Sequence, residues 1–197
     1  AEMVRDQALA SSGLLVPKIG GESVKPYQPK GLWRELTAEY ANEYIEDTGD
    51  NLYRRSLYTI WKRSAPPPSM INFDASDKYV CIIKRQNTNT PLQALVLMND
   101  PQYIEASRVL AEKMLIDGGV ETSDQLKYGF RAITSRNPEP KELMILEELY
   151  QNELAEFQRA PHEADSLLQV GEYGRDKSLP KEKLAAFTLV NSTLMNY

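Results

Sequence analysis

Arginines set among aromatic rings are the residues of this chain best equipped for chemistry. Arg54, Arg55 and Arg63 bracket Tyr58 and Trp61, and Arg85 closes an apolar run just before Asn87 and Asn89. Guanidinium forks beside aromatic faces suit sulfated or carboxylated sugars, through bidentate hydrogen bonds and stacking. The same groups can instead lock the proline-bearing loop PPPSMINFD onto its neighbours through buried, charge-assisted bonds. Locking is the favoured use. Lys25 and Tyr27, in the extended stretch SVKPYQP, can line the same region, although sequence alone does not place them.

Other chemistries find weaker footing. Ser23, Ser69 and Cys81 are the candidate nucleophiles, but a hydrolase of that kind needs a base and a group to orient it. His162 is the single histidine, in a polar segment after Pro161, and is read as facing solvent. Asp74 and Asp77 lie beside Phe73 and Tyr79 and could form the carboxylate pair of a polysaccharide-acting hydrolase. Both also suit turns and caps, and Asp100, before Pro101, suits an N-cap. One cysteine and one histidine argue against a structural zinc site, and no CxxCH motif is present for haem attachment. No cofactor is expected on this chain.

Charge narrows the partners. The chain carries net −5, yet residues 51–100 hold seven Lys/Arg against three Asp/Glu. That patch can meet an anionic partner or pair internally, and internal pairing is the commoner fate. Nucleic acid asks for a larger basic excess and is not expected. No apolar run is long enough to span a membrane.

These residues must be positioned by a mainly α fold, a single helical domain over residues 1–197 with a long Pro-rich ordered loop and few or no strands. Met3, Val4, Ala8 and Leu9 predict a helix over 1–12 stopped by Gly13, and its uncapped start reads as cut mid-helix. Val16–Gly31 reads as a loop. Residues 32–45 form an amphipathic segment, followed by the turn DTGD, although 42–53 also permits a short hairpin. After Asp50, the stripe Leu52, Tyr53, Ser56, Leu57, Ile60 and Trp61 predicts a helix ended by Pro66-Pro67-Pro68. The run YVCII at 79–83 fits either a buried strand or a short helix. Thr90-Pro91-Leu92-Gln93 is a capping box, and Asn99-Asp100-Pro101 separates that helix from the next, at 101–116. Further helices are expected at 123–135, opened by Thr122-Ser123-Asp124-Gln125, at 140–159, around 163–169, and from Pro180 onwards.

The stretch LYRRSLYTIWKRSAPPPSMINFDASD…C…RQNTNTPLQALVLMNDPQYIEASR resembles the uncharacterised C-terminal domain of planctomycete-type cytochrome-associated proteins. RDQALASSGLL, GGESVKPYQPKGLW and GEYGRDKSL…LAAFTLVNSTLMN extend the resemblance over nearly the whole chain. It implies a family also found in verrucomicrobia and bacteroidetes. It further implies exported proteins of the periplasm or cell surface, with c-type haem on another domain, of which this chain is the C-terminal part. No catalytic residues follow from it. Relatives tend towards arginine at the position of Lys84, so a guanidinium there is not obligatory.

The combined expectation is a non-catalytic interaction or scaffold module. Its partners would be other domains of the same protein or an acidic polysaccharide. Within it, Arg55 and Arg85 are expected to be at least partly buried and bonded to carbonyls of the loop between Pro66 and Thr90.

Overall fold

The computed structural model describes residues 1–33 and 43–197. Among them the fold is mainly α, with eight α-helices, two 3-10 turns and isolated β-bridges in place of any sheet. The chain divides into two compact units: Ala1–Asp6 with Leu15–Val96, and Gln7–Leu14 with Leu97–Tyr197. The helices are α1 (Glu2–Ser12), α2 (Pro68–Asn72), α3 (Pro91–Asn99), α4 (Pro101–Asp117), α5 (Thr122–Thr134), α6 (Pro140–Arg159), α7 (Pro161–Leu168) and α8 (Lys181–Leu194). None of the described helices is long and apolar enough to cross a membrane.

The second unit is a helical bundle around α8, which packs against α4, α5, α6 and α7. Buried residues run nearly all round α8, from Leu184 to Leu194, as a helix enclosed by others requires. Its Phe187 stacks on Tyr150 of α6 with ring centroids 4.3 Å apart, inside a core that includes Leu110, Met114, Leu126 and Phe130. Polar residues on these faces are satisfied locally. Thr188 Oγ1 donates back to the Leu184 carbonyl at 2.7 Å, and Asn191 Nδ2 donates to the Ser107 carbonyl at 3.1 Å. Gly129 of α5 admits this close packing, because a Cβ there would meet Met114 Sδ at 2.7 Å.

The described residues of the first unit have little regular structure. The helix expected after Asp50 is replaced by two 3-10 turns, Gly49–Tyr53 and Ser56–Tyr58. The reason lies in where its backbone bonds go. Val16 N–H donates to the Tyr53 carbonyl at 3.0 Å, Val24 N–H to the Tyr58 carbonyl at 2.8 Å, and Ile60 N–H to the Val24 carbonyl at 2.9 Å. Residues 16–24 and 53–60 thus bond to each other instead of closing α-helical turns. The YVCII run forms neither strand nor helix and is exposed. The amphipathic segment expected at 32–45 falls largely on residues 34–42, outside the described residues.

Helix boundaries follow the sequence closely. Thr90 N–H donates to Gln93 Oε1 at 3.1 Å and Gln93 N–H donates to Thr90 Oγ1 at 3.3 Å, which closes the expected capping box. Asp100 caps α4 by accepting from Gln102 N–H at 2.9 Å. The box expected at Thr122 does not form. Glu121 takes the N-cap position, and Gln125 Nε2 donates to the Gly119 carbonyl at 2.8 Å instead.

Replacing Thr90 with Ala should cost about 1 kcal/mol, the usual loss for an N-cap. Phe187→Ala should cost about 3–5 kcal/mol, because it opens a cavity against Tyr150. Denaturant titration of the two variants measures both, and equal costs would contradict the packing described here.

Candidate functional site

The residues able to do chemistry in the first unit are organised by two guanidinium groups. Arg5, on α1, is buried and faces the segment 52–56. Its Nη1 donates to the Arg54 carbonyl at 2.9 Å and to Ser56 Oγ at 3.1 Å, and its Nη2 donates to the Leu52 carbonyl. Arg54 is itself 2% exposed and reaches onwards into the glycine-bearing loop. It donates through Nη1 to the Glu22 carbonyl at 3.0 Å, and through Nη2 to the Lys18 carbonyl at 3.2 Å and to the Gly20 carbonyl. The Arg54 guanidinium also lies 4.1 Å over the Tyr58 ring, while the Tyr58 hydroxyl accepts from Gly20 N–H at 2.8 Å. Two guanidiniums in series therefore tie α1 to the 52–56 segment, and that segment to residues 18–22. Asp6 reinforces the first link by accepting from Ser56 N–H at 2.8 Å.

The other cations are placed differently from expectation. Arg55 is exposed, with Nε 3.6 Å from Asp6 Oδ2. Arg85 is exposed as well, and forms a bidentate pair with Glu2 at 2.6 and 3.1 Å. Neither bonds the carbonyls of the loop between Pro66 and Thr90, so that expectation is corrected. Those carbonyls find amide donors instead. Met70 accepts from the backbone amides of Phe73 and Ala75, each at 3.1 Å, and Asn72 accepts from Gln93 Nε2 at 2.8 Å.

The loop is closed at its base by Asp74, which sits at φ 59° and accepts from both Thr88 N–H at 2.8 Å and Thr88 Oγ1 at 2.9 Å. Those bonds hold the Asp74 carboxyl below its ordinary pKa, the backbone amide contributing most. Asp77 accepts from Tyr79 N–H at 3.1 Å within its own turn. Both carboxylates thus have roles in shaping the loop. Trp61 is half-buried with Lys78 4.5 Å above its ring, while Arg63, Asn87 and Asn89 are exposed. Lys25 and Tyr27 are half-buried, and the Lys25 backbone pairs with Asp47. The structure thus joins Arg54 to Tyr58 but does not draw the remaining candidates into one constellation.

Sequence reasoning missed Arg5 and a second buried set, on α4. Glu105, Arg108 and Glu112 are all buried on one helical face of the second unit. Arg108 donates to Glu112 Oε1 and to the Tyr173 carbonyl, each at 2.6 Å, and Glu105 Oε1 accepts from Tyr173 N–H at 2.7 Å. A Cβ at Gly171 would overlap the Glu105 carboxylate, which accounts for glycine there. Burial pushes the Glu112 carboxyl up, and the Arg108 guanidinium opposes that shift. The available signal was charge at helical spacing inside an otherwise apolar stripe. Among the described residues, no three His, Cys, Asp or Glu side chains gather as a metal site. An open surface cleft of about 540 Å³ includes Glu121, Ser123, Met144, Glu147 and Glu148 in its lining, and none of the sequence-predicted site residues borders it.

Two tests follow from these bonds. Arg54→Met should destabilise by about 2–3 kcal/mol, through carbonyls stripped of a buried charged donor, whereas Arg85→Met should cost about 0.5 kcal/mol or less. Equal losses in urea melts would contradict the two assignments. For Asp74, a depressed folded pKa means that its contribution is fully present above the ordinary value of 3.8 and is lost as pH falls through the lower folded value. Titration followed by carboxyl NMR should therefore give a midpoint below 3.8, and Asp74→Asn should speed proteolysis between residues 75 and 87 at neutral pH. A midpoint at or above the ordinary value would remove the clamp.

Comparison with curated proteins found no match, and neither did comparison with solved structures. A family model does match, over residues 1–150, so that α7, α8 and the loop before α8 fall outside the matched stretch. Its description is PSD1, a protein of unknown function, and the match takes in the guanidinium relay, the Asp74 clamp and the α4 cluster. The chain belongs to the PSD1 family of proteins of unknown function (DUF1553).

Proposed function

We propose that this chain is a non-catalytic interaction or scaffold module of an exported protein of the periplasm or cell surface, one that carries cytochrome-type modules on other domains. The observation that supports the reading is the fate of the best-equipped side chains. Arg5 and Arg54 are buried on backbone carbonyls, and Asp74 is engaged by Thr88. Groups held this way shape loops, and the Arg5 and Arg54 forks are spent on backbone. The family name is in keeping with planctomycete-type cytochrome-associated proteins.

Partners in this reading are the other domains of the same protein. Acidic polysaccharide is the second ligand class, met by the exposed Arg63, Asn87 and Asn89. Haem, in this reading, belongs to a cytochrome module elsewhere in the full protein. A glycan array and a polysaccharide hydrolysis screen on the full-length protein test the proposal. The expected result is no turnover, with any retention confined to sulfated or carboxylated glycans and weakened by Arg63→Ala. Turnover abolished by Asp74→Asn or Asp77→Asn, in variants that remain folded, would overturn it.

A further inference from the structure

The loop closed by Asp74 and Thr88 carries at its tip a run of consecutive exposed apolar side chains. Tyr79 is 62% exposed, Val80 68%, and Ile83 wholly so, with Cys81 and Ile82 exposed between them. This is an Ω-type loop with a fixed base. Gln93 Nε2 donates to both Thr88 Oγ1 and the Asn72 carbonyl, and Arg85 is tied to Glu2. A pinned base with an apolar tip in water calls for something that covers the tip.

Charge indicates what that is. From Lys78 to Asn99 the sequence contains no Asp or Glu, in a chain whose net charge is −5. The apolar run is flanked directly by Lys78 and Lys84, both exposed. Consecutive side chains of the run are exposed together, so a flat protein surface or a sheet edge would cover only part of them. A fluid interface covers all of them, accepts a tyrosine at its boundary, and lets lysines extend to its headgroups.

We propose that the tip, residues 79–83, docks on an anionic phospholipid bilayer, with its aliphatic side chains in the interface and Lys84 against the lipid phosphates. Penetration stops at headgroup depth, because the tip backbone forms neither helix nor sheet and needs water or phosphate as its partner. The inference shares the Asp74–Thr88 clamp with the scaffold reading, but it is carried by the exposed tip residues 79–83, which that reading does not use.

Co-sedimentation of the purified chain with vesicles tests it. The chain should pellet with phosphatidylcholine–phosphatidylglycerol vesicles, far less with phosphatidylcholine alone, and less again as salt is raised. Replacing Val80, Ile82 and Ile83 together by Ser should weaken binding about tenfold or more. Lys84→Gln should weaken it about fivefold. Melting temperatures should hold, since these side chains are exposed, and Ile83→Ser alone serves if the triple variant misfolds. No pelleting by the wild-type chain would overturn the proposal. So would pelleting unchanged in the serine variants, or a serine effect confined to self-association or capture of a soluble protein.

Discussion

A backbone that forms neither helix nor sheet must still find a donor for each buried carbonyl, and in the first unit that constraint is met by guanidinium. Arg5 binds the Leu52 and Arg54 carbonyls, and Arg54 binds those of Lys18, Gly20 and Glu22. One arginine offers five donors and keeps its charge, so it can serve several irregular segments at once. Burying it unpaired would be costly, which makes the arrangement cooperative: each guanidinium is tolerated because the carbonyls surround it. The Tyr58 ring under Arg54 adds a cation–π contact on a face that hydrogen bonds cannot use. The second unit buries the same device on α4, where Arg108 holds the Tyr173 carbonyl and Glu105 the Tyr173 amide.

Much of the helical part was legible in the sequence, because its boundaries are set by local chemistry. Thr90 with Gln93, Asp100 before Pro101, and Gly13 at φ 78° act within a few residues of themselves. The helix predicted after Asp50 fails for the opposite reason. Its stripe was sound as a pattern, but residues 16–24 supply hydrogen bonds from far along the chain, and periodicity does not see them. The candidate site was legible as a set of residue types and not as a geometry. Arg54 was among the residues named, yet the loop it secures is the glycine-bearing one and not the proline-bearing one. Arg85, expected to bond the carbonyls of the proline-bearing loop, instead pairs with the Glu2 carboxylate at the surface. Arg5 and Arg108 went unnoticed because each stands among ordinary helix formers.

This organisation bears on function by elimination and by contrast. The buried Arg5 and Arg54 are tied to backbone, while the loop with the exposed tip at residues 79–83 is clamped at its base. In the proposed reading the loop clamp and the guanidinium relay serve to present a fixed surface on a unit whose described residues form no sheet.

The measurement that tests the relay most directly is a double-mutant cycle between Arg5→Met and Arg54→Met, read from equilibrium unfolding. If the two guanidiniums act in series, removing either loosens the segment that both depend on, and the double variant should lose less than the two single variants combined. The expected coupling is about 1 kcal/mol or more, within the range seen for residues in one hydrogen-bond network. Additive losses, with no coupling beyond error, would show that the two arginines stabilise separate parts of the unit and would contradict the account.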